Sequence, residues 1–174
     1  MKKIWECLTR VYWRIFKSPE EYARHIGVVV GENCLINTRN WSSEPYLITI
    51  GNNVQITSNV YIHTHGGGNA VRMLYPNFDI FGKVVIEDWV YVGAGSQIMP
   101  GVRIGKGSIV AAGSIVTKSV PPGVVVGGNP ARVLCSIDEY IEKNVQYNLD
   151  TKGYSSNEKR NLLLSLPEER FIRK

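Results

Sequence analysis

The chain has 174 residues, 44% of them hydrophobic, with a formal charge of +5 and a pI near 9.1. That length suits one domain with an appended element at each end. No run approaches eighteen consecutive apolar residues, so no membrane-spanning helix is expected, and Glu6, Arg10 and Arg14 interrupt the basic N-terminus too often for a secretory signal.

Met1 to Lys17 places Ile4, Leu8, Val11 and Ile15 at helical spacing, flanked by Trp5, Tyr12 and Phe16 and ringed by Lys2, Lys3, Arg10, Arg14 and Lys17. This is a basic amphipathic helix with two open roles. Residues 2–17 could lie on anionic lipid, or the helix could pack against a neighbouring subunit or the end of the following domain. Ser18-Pro19-Glu20-Glu21 reads as the capped start of a second short helix, with Pro19 at its first position.

From Gly27 a six-residue period takes over. Val30 and Ile36 are six apart, and Ile50, Ile56 and Ile62 resume the same spacing. The step of fourteen from Ile36 to Ile50 exceeds two hexads by two, so a small bulge is expected around Trp41 to Tyr46. The period is clearest from Lys83 to Thr117, where Ile86, Val92, Ile98, Ile104, Val110 and Val116 recur at every sixth position. Two places before each stands a small or β-branched residue: Val84, Val90, Ser96, Val102, Ser108 or Ser114. This is neither a helical period nor a free alternation of two. It fits a repeated short strand and tight corner, three hexads or about eighteen residues making one coil of a left-handed parallel β-helix. The stiff aliphatics stack along the axis, and glycine turns the corners that need positive φ.

The step from Ile62 to Ile86 leaves residues 66–83 as an extruded loop, whose aromatics and Arg72 favour a functional role over a linker. Beyond Val126, Gly128-Asn129-Pro130 is turn chemistry. Ser136 and Glu139 make a capping-box pattern for a helix, and Asn157 to Lys174 carries a second helical pattern. The fold class is therefore an all-β core, a triangular left-handed β-helix, with an N-terminal amphipathic helix, an extruded loop and C-terminal helices. Its parts are residues 1–25, 26–135 and 136–174.

The inward residues of such a prism are apolar, so chemistry must sit on loops and corners. The histidines are His25, His63 and His65. His63 and His65 fall where the repeat gives way to the loop, and His65, leaving a rigid strand beneath a mobile loop, is the candidate general base. His63, at a corner beside the stacked Ile62, reads as structural. A metal is the rival use of His63-Thr64-His65. A third ligand is lacking, because Cys34 is expected to point inward and His25 precedes the prism. The three cysteines, Cys7, Cys34 and Cys135, are odd in number and far apart, the pattern of reduced thiols in a cytoplasmic compartment. The positive charge suits a phosphate-bearing cofactor or an acidic surface. The basic residues are not interleaved with aromatics along the repeat, so nucleic acid is not an expected partner.

Gly27 to Cys135 resembles the hexapeptide-repeat acyltransferases, most closely the sugar and polysaccharide O-acetyltransferases such as the maltose and galactoside enzymes. The carrying motifs are ITIGNNVQI from Ile48, THGG from Thr64, IMPGVRIG from Ile98, AAGSIVTKSVPPG from Ala111 and GGNPARVL from Gly127. The resemblance implies a homotrimer with acetyl-CoA in the groove between subunits. It implies His65 as catalytic base and Asn37 as an acceptor-binding residue. It also implies Ala94, Ala112, Thr117, Lys118 and Arg132 along the coenzyme groove. The family's distal phosphate-binding arginine falls at Cys135, and the helical N-terminal domain of the maltose and galactoside enzymes is replaced by the basic helix. The expected function is acetyl-CoA-dependent O-acetylation of a sugar or surface-polysaccharide precursor by direct transfer. The alternatives are a metal-dependent enzyme like the γ-class carbonic anhydrases and a non-catalytic trimeric binding module.

Overall fold

The hexads are built as strands of two or three residues separated by corners, and these strands assemble into three parallel faces. The structure is a computed structural model that describes residue 9 and residues 11–173. Expectations for Ile4, Trp5 and Leu8 lie outside those residues. One face orders strands β1 (Val29–Val30), β4 (Ile48–Ile50), β7 (Val84–Ile86) and β10 (Arg103–Ile104). The second orders β2 (Leu35–Ile36), β5 (Gln55–Ile56), β8 (Tyr91–Val92), β11 (Ile109–Val110), β13 (Val124–Gly128) and β14 (Ala131–Ser136). The third orders β3 (Asn40–Trp41), β6 (Tyr61–Ile62), β9 (Gln97–Ile98) and β12 (Ile115–Val116).

Register follows the repeat. Ile50, Ile86 and Ile104 stack on one face, Ile36, Ile56, Val92, Val110 and Val126 on the next, and Ile62, Ile98 and Val116 on the third. Every one of these side chains is buried. Each contributes about 1.5–3 kcal/mol of burial, so the ladders hold the prism together along its axis. The second position of the hexad is inward too, and three of its members are Ser96, Ser108 and Ser114, all buried. Their hydroxyls donate to the carbonyls of Ala111, Pro121 and Ala111 respectively. A buried hydroxyl is tolerated there because the coil offers a backbone acceptor at each site.

The corners divide by backbone conformation. Gly95, Gly101, Gly107 and Gly113 recur at every sixth position with φ between +67° and +82°. Asparagine fills the same role at Asn33, Asn53 and Asn59. Gly93 answers a different need: a Cβ there would lie 2.5 Å from the Ala112 nitrogen and 2.8 Å from the Val110 carbonyl oxygen. Both atoms belong to the coil's own backbone, so Gly93→Ala is expected to lower stability by about 1–3 kcal/mol, read as a drop in the thermal midpoint.

Two irregularities matter for the site. The step from Ile36 to the next axial residue is five rather than six, because Trp41 pairs with Ile62. The surplus residues lie between Trp41 and Ile48, and include a 3₁₀ turn at Pro45–Leu47. The loop of residues 66–83 was expected to be mobile, yet it has defined internal structure. It has a 3₁₀ turn at Gly68–Val71, and an antiparallel neck pairs His65 with Phe81. The Gly66 nitrogen donates to the Ile80 carbonyl and the Gly82 nitrogen to the Thr64 carbonyl, 3.1 and 2.8 Å. Arg72 is spent on the loop itself, in a 2.7 Å pair with Asp79.

Helix α1 (Pro19–His25) begins at a Ser18–Glu21 capping box with Pro19 in its first turn, as the sequence indicates. Residues 11–16 are helical. Of the aliphatic stripe the described Val11 and Ile15 are exposed, as is Phe16, and Trp13 stacks on His25 at 4.0 Å. GGNPARVL proves to be the turn and second arm of an antiparallel hairpin, β13 with β14, through the cis Asn129–Pro130 peptide.

The chain divides into two compact units, Met1–Ile137 and Asp138–Lys174. The smaller carries most of α2 (Ile137–Asn144), and α3 (Ser156–Ser165) begins at a Ser155–Glu158 capping box. The second helical pattern thus stops at Ser165, because Pro167 cannot continue it. No helix among the described residues is long and apolar enough to cross a membrane.

Candidate active site

His65 leaves the third face three residues after Ile62, just as Glu44 leaves it three residues after Trp41. Since Trp41 and Ile62 are register partners, the two side chains emerge side by side. His65 Nδ1 lies 2.9 Å from Glu44 Oε2. The same oxygen accepts from Thr64 Oγ1 at 2.7 Å, and Ser42 Oγ stands 3.3 Å from His65 Nδ1. The Thr64 hydroxyl and then the His65 ring hold the Glu44 carboxyl below the usual carboxylate range. A carboxylate at Nδ1 keeps the proton on that nitrogen and leaves Nε2 with a free lone pair, the form a general base needs. Half of the His65 side chain stays exposed (48%), while Glu44 is largely covered (18%). The Phe81 ring meets the imidazole edge-on at 6.4 Å, so the loop neck steadies the base from the other side.

His63 is placed differently. Its Nε2 is 3.2 Å from Gln97 Oε1 and its ring lies parallel to Tyr61 at 6.4 Å. Among the described residues no three His, Cys, Asp or Glu side chains come together in a metal-holding group. Cys34 packs partly against the core with Sγ 3.1 Å from the Gly51 carbonyl oxygen, and burial pushes its thiol pKa up.

The remaining expected site residues fall in three places. Asn37 is exposed at the end of β2, with its backbone nitrogen 2.8 Å from the Ile56 carbonyl oxygen. No hydrogen bond among the described residues joins Asn37 to the His65 cluster. Ala94 and Ala112 occupy equivalent corner positions one coil apart, where the Gly113 nitrogen donates to the Ala94 carbonyl at 2.8 Å. Lys118 and Arg132 are brought together, one after β12 and one on β14. Both line a cavity of about 240 Å³ floored by Val116, Val126 and Pro121. Thr117 is exposed immediately before Lys118. Glu44 was absent from the sequence-based list. Its only signal there was its place in the surplus segment before ITIG.

Residues 83–118 match the family model for the bacterial transferase hexapeptide, six repeats. Over 164 residues the chain is 45% identical to protein CapG of Staphylococcus aureus, spanning 91% of this chain and 95% of that one. The chain belongs to the hexapeptide-repeat transferases. Among solved members of this family it is similar to a maltose O-acetyltransferase from Clostridium difficile 630, 27% identical with a TM-score of 0.59, over 75% of this chain and 83% of that one. It is also similar to a hexapeptide-repeat acetyltransferase from Vibrio cholerae O1 biovar eltor complexed with acetyl-CoA. That structure is 27% identical with a TM-score of 0.57, over 73% of this chain and 82% of that one. The three parallel faces are thus those of the family's left-handed β-helix, and the chain is an acetyltransferase.

Proposed function

We propose that the enzyme transfers an acetyl group from acetyl-CoA to a hydroxyl of a sugar or surface-polysaccharide precursor, with His65 as general base. The observation that carries this is the 2.9 Å contact between Glu44 and His65 Nδ1. It turns an exposed histidine into an oriented one. His65 Nε2 takes the proton of the acceptor hydroxyl as the oxygen attacks the thioester carbonyl. The tetrahedral intermediate collapses with loss of the coenzyme A thiolate, and the imidazolium returns the proton to the sulfur. Nearby backbone N–H groups supply the oxyanion's hydrogen bonds. No acyl-enzyme is needed, consistent with the partly buried Cys34, whose thiol pKa is raised.

The coenzyme runs along the corner of Ala94 and Ala112, whose backbone amides meet the pantetheine amides, and past Thr117 to the Lys118–Arg132 cavity, where the phosphates lie. Asn37 orients the acceptor. The working form is a cytoplasmic homotrimer in which the neighbouring subunit closes the groove. The exposed Val11, Ile15 and Phe16 support contact of residues 2–17 with that neighbour or with anionic lipid.

The direct test is thiol release from acetyl-CoA in the presence of a panel of free, phosphorylated and acidic sugars, with the ester identified by mass. Absence of acceptor-dependent release across the panel would sink the proposal. Lys118→Ala and Arg132→Ala are each expected to raise KM for acetyl-CoA about tenfold with kcat little changed, since a phosphate contact binds ground and transition states alike. An unaltered KM in both variants removes the cavity from the coenzyme path.

A further inference from the structure

Beside the base lies a second cavity, of about 220 Å³, whose lining includes Arg14, Arg39, Trp41, Ser42, Tyr61 and His63. Two donors on its lining residues are unmet. Arg39 Nη1 and Trp41 Nε1 are both buried and have no hydrogen-bond partner among the described residues. Arg39 is nevertheless held in place. Its Nη2 donates to the Lys17 carbonyl and its guanidinium lies 5.7 Å from the Tyr22 ring centroid. Neither Arg14 nor Arg39 forms an ion pair with any described residue. Glu44, the nearest carboxylate in the cluster, is already engaged by Thr64 and His65.

Buried donors without acceptors are unfavourable, and a guanidinium is a planar group suited to an oxyanion. Ser42 joins this cavity to the base, because its hydroxyl is 3.3 Å from His65 Nδ1. We propose that the cavity of Arg14, Arg39 and Trp41 binds an anionic group on the acceptor, a carboxylate or a phosphate, and so selects acidic or phosphorylated sugars over neutral ones. The inference rests on the sugar-acetylating reading above. It is separable from it because anion binding requires no turnover.

Binding of inorganic phosphate to the full chain, without acetyl-CoA, is the first measurement, by calorimetry at low salt. Arg39→Gln is expected to weaken it about tenfold, the loss of one charge-assisted contact. Arg14→Gln, on an exposed helical position, is expected to do the same and guards against misfolding of the Arg39 variant. Arg103→Gln, on the first face and paired with Glu87, is expected to leave this binding within twofold. Phosphate binding unchanged in both the Arg14 and the Arg39 variants overturns the proposal. So does the absence of any phosphate binding. Displacement by D-glucuronate, glucose 1-phosphate and glucose then identifies the source of the anion. Whichever acidic sugar displaces at tenfold lower concentration than glucose names it, and displacement by neither leaves an ion site only and overturns the acceptor assignment. If the phosphate results hold while His65→Ala still turns over, the catalytic reading fails and the anion cavity stands.

Discussion

His65→Ala is expected to lower kcat for acetyl transfer by about a thousandfold, within the range of 10²–10⁴ that a positioned general base contributes. KM for acetyl-CoA should stay within about twofold, because the imidazole is placed at the acceptor hydroxyl and binds no part of the coenzyme. The side chain is 48% exposed and, among the described residues, bonds to Glu44 and Ser42, so the variant should keep its fold. An unchanged thermal midpoint would confirm that the loss is chemical. Retention of most of the rate on the best acceptor would falsify the assignment of the base. A thousandfold loss in His63→Ala with His65→Ala active would transfer the role to the corner histidine, whose Nε2 faces Gln97.

The second large effect is at Glu44, argued here as a positioning residue. Glu44→Gln keeps the shape but removes the charge that fixes the imidazole tautomer. A fall in kcat of about tenfold to a hundredfold is expected, with both KM values within threefold. A merely structural carboxylate would instead change stability and leave kcat alone. Stability also carries a sign. Thr64 and His65 lower the folded-state pKa of Glu44 from the ordinary 4.5. The stabilisation is therefore complete above about pH 4.5, declines as pH falls through the depressed folded value, and is gone below it. Denaturant titrations of wild type and Glu44→Gln should differ above about pH 5 and converge in stronger acid. A stability difference that persists undiminished in strong acid would mean that the Glu44 carboxylate is not what stabilises the contact.

The axial ladders and the position of His65 were both legible in the sequence. The reason is local: each hexad dictates its own corner and inward residue, so Val84 to Val116 specify their faces without reference to distant chain. Resemblance in THGG then singled out the histidine. The surplus before ITIG was also visible, but only as a count. A bulge from Trp41 onward was the natural reading. The excess does lie there, and the backbone also takes a five-residue step to Trp41. A regular coil of about eighteen residues would set Leu47 beside His65. The actual register sets Glu44 there, and with it the orienting carboxylate.

The aromatics and Arg72 of the loop suggested a functional role. Arg72 instead pairs with Asp79, and the neck pins the strand that bears His65. The turn Gly128-Asn129-Pro130 was clear, whereas the antiparallel arm that brings Arg132 back beside Lys118 was not, because strand pairing is a long-range event that no six-residue window contains. By itself the sequence determined the prism, its period and the place of His65 where the repeat gives way to the loop, since those depend on residues within a hexad of one another. Only the tertiary structure decided what stands next to that histidine. Which coil lies against which depends on where the surplus residues are stored, and one residue of slip in a parallel stack exchanges every neighbour.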